Sequence, residues 1–279
     1  MEKYKLIGVP IKYGCNIEGA DKGIDIIKQH IDFDYIIDIP TFEEEENIKS
    51  HNIKKVTKVC NDLAKVVDDT IKEGFIPITI GGDHSLAIGS IAGSSSNYDI
   101  NLIWVDTHTD INTHESTLTG RIHGFPVASS FGLGPDELVN VYYKGKKVDN
   151  ENITLFGTDD IDELEYKIIE ENNIENILFD DIVTKGLDYY LDYLTSKFKD
   201  KKIHLSFDLD CMSPIDYSAI STPNHLNKGF TTKEAYKIIE TILKLDIVAI
   251  DIVEYNPYND KNNECLNILL NIIDKIKKS

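Results

Sequence analysis

Asp106, His108 and Asp110 stand two residues apart in the run I-W-V-D-T-H-T-D-I-N, residues 103–112. In an extended backbone every second side chain points to the same face. Two carboxylates and an imidazole then converge at the end of an apolar stretch, Leu102 to Val105. A single Asp there could simply bond to backbone groups. Three such residues in alternation are harder to explain that way, because close carboxylates repel unless something positive lies between them. The trio is therefore a candidate half of a metal site, and the rest of the chain must supply the other half.

Matching partners exist. His84 lies in G-G-D-H-S (81–85), and Asp208 and Asp210 in D-L-D repeat the alternating spacing. The set of His84, Asp106, His108, Asp110, Asp208 and Asp210 is too oxygen-rich for a structural zinc, which favours thiolate and imidazole in a closed tetrahedron. Oxygen-rich, partly nitrogenous ligation suits Mn²⁺, and six ligands can hold two ions bridged by carboxylates. Two metals about 3.5–4 Å apart can share a water and lower its pKa. Taken from the residues upward, this is a binuclear metallohydrolase.

The elements that must position this set are short. Apolar runs at Tyr4–Val9, Tyr35–Ile39, Phe75–Ile80, Asn101–Asp106, Ile153–Gly157, Asn176–Phe179, Lys202–Asp208 and Asp246–Asp251 predict strands. Several are apolar on both faces, as strands covered on both sides by helices must be. Between them lie helical patterns. Val56, Val59, Cys60, Leu63, Val66, Val67 and Ile71 repeat at three and four, with Gly74 at the position of a C-terminal cap. A capping box, Thr231 to Glu234, opens a helix that buries Ala235, Ile238, Ile239 and Ile242. A last amphipathic helix runs from about Asn263 to Lys277. Glu43 to Glu46 reads as solvated loop or a helix start. The alternation predicts one α/β domain, residues 1–279, on a mainly parallel sheet. Ligands bind beyond the carboxyl ends of strands in such sheets, and the polar clusters follow predicted strands.

Composition narrows the function. A net charge of −19 argues against binding a phosphate backbone, while an acidic surface can steer a cationic substrate. The four cysteines, Cys15, Cys60, Cys211 and Cys265, are scattered without a C-x-x-C pair, which points to a reducing compartment. No run approaches signal-peptide or transmembrane length. The expectation is a soluble, cytoplasmic protein with no nucleic-acid or membrane partner.

As a set, G-G-D-H-S, D-T-H-T-D-I-N, S-F-D-L-D (206–210) and E-Y-N-P (254–257) resemble the motifs of the ureohydrolase family, which includes arginases, agmatinases and formiminoglutamases. The resemblance spans nearly the whole chain in motif order. It implies the arginase–deacetylase fold, a three-layer α-β-α arrangement around a central eight-stranded, mainly parallel sheet. It implies two Mn²⁺ ions per subunit, one held by His84, Asp106, Asp110 and Asp208, the other by Asp106, His108, Asp208 and Asp210. It also implies a homo-oligomer, trimer or hexamer.

The segment after Asp110, I-N-T-H-E-S-T-L-T-G-R-I-H-G-F-P, resembles the arginase pattern most closely. By that match Asn112 and Thr119 contact a substrate α-carboxylate, and His123 is a proton shuttle, a role suited to an imidazole near neutral pKa. In G-T-D-D-I-D-E-L-E (157–165), Asp162 would hold the α-amino group, with Asp160 and Glu165 in support. These acids could equally be helix N-terminal carboxylates. Thr222 and Glu254 match positions lining the guanidinium end, and a planar cation wants a carboxylate partner. Asp83 reads as a turn former.

Three departures from the family pattern stand out: Thr107 in place of the usual Ala, Ser213 in place of a carboxylate, and Arg121 in place of a neutral amide. An inward-facing Arg121 favours substrates bearing a carboxylate. The expected reaction is hydrolysis of a guanidinium group to urea and a primary amine, arginine first, with Asp210 carrying a proton to the leaving nitrogen. Alternatives are an agmatinase or another guanidino- or formimino-acid hydrolase, a deacetylase-like amidohydrolase, and a metal-binding but catalytically silent regulatory protein.

Overall fold

In the computed structural model, residues 3–44, 46–222 and 228–279 are described. Eight strands form one sheet: β1 (Tyr4–Val9), β2 (Tyr35–Ile36), β3 (Ile76–Gly81), β4 (Ile100–Val105), β5 (Ile153–Thr158), β6 (Glu175–Leu178), β7 (Lys202–Asp208) and β8 (Asp246–Val253). Their order is β2-β1-β3-β8-β7-β4-β5-β6, and every pairing between them is parallel. Each predicted run overlaps a strand, with ends shifted by up to three residues. The run at Tyr35 is cut to two residues at the sheet edge, where Tyr35 and Ile36 are exposed.

Ten helices surround the sheet among the described residues: α1 (Gly23–Ile27), α2 (Ile53–Lys72), α3 (Ala87–Ser95), α4 (Pro126–Ser130), α5 (Asp136–Val139), α6 (Glu163–Asn172), α7 (Phe179–Lys185), α8 (Leu187–Lys197), α9 (Thr232–Ile242) and α10 (Glu264–Lys277). Strand alternation divides the core. Leu6, Ile103 and Val105 point into a cluster with Ile27 of α1, Leu194 of α8, Ile238 of α9 and Leu269 of α10. Ile7 and Val9 face Val56 and Leu63 of α2. Leu102 and Trp104 face Ile91 of α3 and Ile169 of α6. Helices thus cover both faces, which is why strand β4 is buried at every position.

The helix signals act as their chemistry demands. Gly74 takes φ 86° after α2, its N–H donating to Ile71 C=O at 2.9 Å. Thr231 and Glu234 form the capping box of α9. From the acidic run at 43–46, Glu44 accepts from the N–H groups of Lys54 and Lys55 at 3.3 and 2.9 Å, meeting the positive end of α2. No helix among the described residues is long and apolar enough to cross a membrane.

Candidate active site

The strands that carry the polar motifs, β3, β8, β7, β4 and β5, are consecutive neighbours in the sheet. Being parallel, they deliver those motifs to one rim. His84 follows β3 in a short helical turn capped by Asp83, whose carboxylate accepts from Ser85 N–H at 3.0 Å. Its Nδ1 lies 3.2 Å from Asp106 Oδ2, 3.2 Å from Asp110 Oδ2 and 2.9 Å from Asp208 Oδ2. The ring is stacked on Trp104 at a centroid separation of 3.9 Å, and Nε2 lies 2.8 Å from Ser206 Oγ. His108 turns its own Nδ1 to Asp210 Oδ2 at 2.9 Å and Asp106 Oδ1 at 3.5 Å.

The carboxylates are held by short-range bonds that their spacing makes possible. Asp106 accepts from His108 N–H at 2.7 Å and from the Trp104 indole at 3.0 Å. Asp208 accepts from Asp210 N–H at 2.7 Å. Asp110 sits at φ 47° and Glu254 at φ 70°. That left-handed region costs an L-residue about 1–2 kcal/mol, and non-glycine residues held there cluster at functional sites. Glu254 is fixed in this geometry by its N–H bond to Gly82 C=O at 2.9 Å.

The electrostatics call for cations. Burial would lower both His84 and His108, yet the facing carboxylates outweigh it and hold both imidazoles well above their ordinary pKa. Burial, followed by the charge of Asp106, lifts Asp210 to about 7. His84 Nδ1 and both Asp210 carboxylate oxygens are buried without a hydrogen-bond partner, a costly state that a bound ion relieves. Two groupings have ligand atoms within 4.8 Å of one another: His84, Asp106 and Asp208, and Asp106, His108 and Asp210. They share Asp106, and Asp110 borders the first. The donor set fits hard divalent cations.

Beside this cluster opens a cavity of about 280 Å³, whose walls include His108, Asp110, Asn112, Thr119, Arg121 and His123 on one segment and Asp160, Asp162, Glu165 and Thr222 opposite. The structure thus brings together every residue singled out for substrate except Glu254. Glu254 is buried beside that lining: it accepts from His84 N–H at 2.9 Å, and its Oε1 lies 3.8 Å from His123 Nδ1, a residue of the cavity wall. Burial lowers His123, but the Glu254 carboxylate overrides this and raises it. Arg121 and Thr119 stand exposed at the mouth. Ser206, Trp104 and Thr109 were not singled out in the sequence. Each has the signal of alternation, lying two residues from a site residue or between two of them, but serine, threonine and tryptophan in a buried strand read as packing.

A model of the arginase family matches residues 2–276. The chain belongs to the arginase family. It is 30% identical to the arginase of Bacillus caldovelox, over 99% of this chain and 98% of that one, and 32% identical to the arginase of Bacillus subtilis, over 97% and 96%. The solved Bacillus caldovelox structure superposes with a TM-score of 0.92 at 29% identity, covering 100% of this chain and 99% of that one. The Entamoeba histolytica arginase, solved in complex with L-ornithine, gives 0.88 at 27%, covering 99% and 98%. The chain is therefore an arginase-like ureohydrolase of a metal-dependent family, and its eight-stranded α-β-α architecture is the arginase fold.

Proposed function

We propose that this ureohydrolase hydrolyses L-arginine to L-ornithine and urea with two Mn²⁺ ions. The observation that carries the reading is the polarity of the cavity. Asp110, Asp160, Asp162 and Glu165 line it, and the mouth carries Arg121, the only arginine in the chain. A ligand with a guanidinium, an ammonium and a carboxylate matches this distribution. Agmatine, which lacks the carboxylate, leaves Arg121 unused.

His84, Asp106, Asp110 and Asp208 would hold one ion, and Asp106, His108, Asp208 and Asp210 the other. When bound, the pair would supply charge neutralisation, Lewis acidity and hydroxide at neutral pH. The protein's own groups do the rest. Arg121, Asn112 and Thr119 receive the α-carboxylate, and Asp162 receives the α-ammonium. Thr222 faces the guanidinium end, and Glu254 supplies negative charge there through its contacts with His84 and His123. Asp210 accepts the proton of the attacking water and delivers it to the departing amine nitrogen. His123, held near Glu254 at the wall, exchanges protons with solvent. Net chemistry is water plus guanidinium giving urea and a primary amine.

The test is urea release by the Mn²⁺-loaded protein from arginine, agmatine and guanidinobutyrate. Arginine should be hydrolysed about three- to tenfold more efficiently than agmatine, the scale of a charge-assisted pair weakened by exposure. Equal rates overturn the assignment of substrate. No urea from any of them favours a catalytically silent metal protein.

A further inference from the structure

The two chain segments that form the site are tied together by the residues that alternate with Asp106, His108 and Asp110. Thr107 C=O accepts from the N–H groups of Asp159 and Asp160 at 2.9 and 3.1 Å. One turn further on, Thr109, fully buried between His108 and Asp110, donates its hydroxyl to Glu165 Oε1 at 2.6 Å. The other oxygen of the same carboxylate, Oε2, accepts from Asp162 N–H at 2.9 Å. Glu165 is itself buried. Both of its oxygens are therefore engaged by the protein, one on each segment.

Each oxygen keeps a further lone pair, but the protein partners of the two lie on different segments, so the carboxylate links those segments. This arrangement suits a brace. We propose that Glu165 is a positioning residue that fixes Asp162 relative to His108 and Asp110, and so sets the distance between the amine-binding acid and the reacting carbon. The inference rests on the assignment of Asp162 to the α-ammonium given above. Its consequence is specific: the brace matters for ligands that carry the amino group and is silent for those that do not.

Glutamine can replace the brace without its charge, because its carbonyl can accept from Asp162 N–H while its amide donates to the Thr109 hydroxyl. Alanine cannot. The experiment measures urea release from arginine and from desamino-arginine by wild type, Glu165→Ala, Glu165→Gln and Thr109→Val. For arginine, Glu165→Ala and Thr109→Val should raise KM on the order of tenfold, the cost of an orphaned buried group, with kcat changed less. Glu165→Gln should stay within about threefold of wild type. For desamino-arginine all four should share one KM. Combining Thr109→Val with Glu165→Ala should add nothing further, since the bond that Thr109→Val removes is already absent in Glu165→Ala.

Glu165→Gln as impaired as Glu165→Ala overturns the brace in favour of direct charge recognition. Equal KM increases for both substrates overturn it in favour of a general structural role. If Glu165→Ala does not fold, Thr109→Val, nearly isosteric, decides between the same outcomes. Failure of the wild type to release urea from arginine overturns the substrate reading and, with it, the role of Glu165.

Discussion

His84 Nε2 and Ser206 Oγ lie 2.8 Å apart, on the side of the imidazole away from Asp208. Nδ1 is turned to the carboxylates of Asp106, Asp110 and Asp208, so the contact with the serine holds the ring plane from the other side. Trp104 completes the clamp by stacking on the ring. Groups that orient a ligating histidine typically contribute 10–100-fold to metal affinity.

Ser206→Ala should therefore weaken Mn²⁺ binding by at least about tenfold, read by calorimetric titration of the metal-free protein, while leaving kcat at saturating metal within a few-fold. Unchanged affinity would mean that the stacked tryptophan alone holds His84.

Ligand and shuttle should separate experimentally. Asp110→Ala and Asp208→Ala each remove a buried carboxylate facing His84 Nδ1, so metal and activity should be lost together. His123 stands on the cavity wall and faces Glu254 rather than the cluster. His123→Ala should keep its metal, by elemental analysis after dialysis, and lose about 10²-fold in kcat, the scale of general acid–base assistance. Full activity in that variant would end its assignment as a proton carrier.

Arg121 gives the prediction that bears most directly on substrate. Its exposure at the mouth discounts the strength of any pair it makes. Arg121→Ala should raise KM for arginine by about three- to tenfold and leave agmatine unaffected. A parallel loss for both substrates would show that the guanidinium acts through the loop and not through the carboxylate.

The sheet was legible because its strands are continuous apolar runs, and five of the six candidate ligands, Asp106, His108, Asp110, Asp208 and Asp210, because their alternation survives a strand's end; His84 was legible only through G-G-D-H-S. These signals are local. What the sequence did not disclose is non-local or depends on direction. Glu254 matches a site position in pattern, but its left-handed backbone and its bond from His84 N–H, 170 residues away in the chain, are not encoded locally. Glu165 reads as a helix N-terminal acid, and it does accept from Asp162 N–H. Its second partner, Thr109, is 56 residues away in the chain. No periodicity encodes such a pairing.

A prediction on stability follows from the far side of α2. Asp68 is buried and gathers Lys72, the Tyr142 hydroxyl, Asn97 and Ser96. Burial pushes its carboxyl up, but Lys72 and the three hydrogen-bond donors prevail and hold it at about 2. The folded pKa is thus below the unfolded one, near 3.9. Stability from this group is fully present above the unfolded value and is lost as pH falls through the folded one. Asp68→Asn should cost on the order of 2 kcal/mol at pH 7, measured by urea unfolding of the same metal-loaded state. The difference from wild type should shrink between about pH 4 and pH 2. A penalty that persists unchanged through that window would assign the effect to lost packing around Tyr142, which holds φ 65° beside it, instead of to the carboxylate's charge.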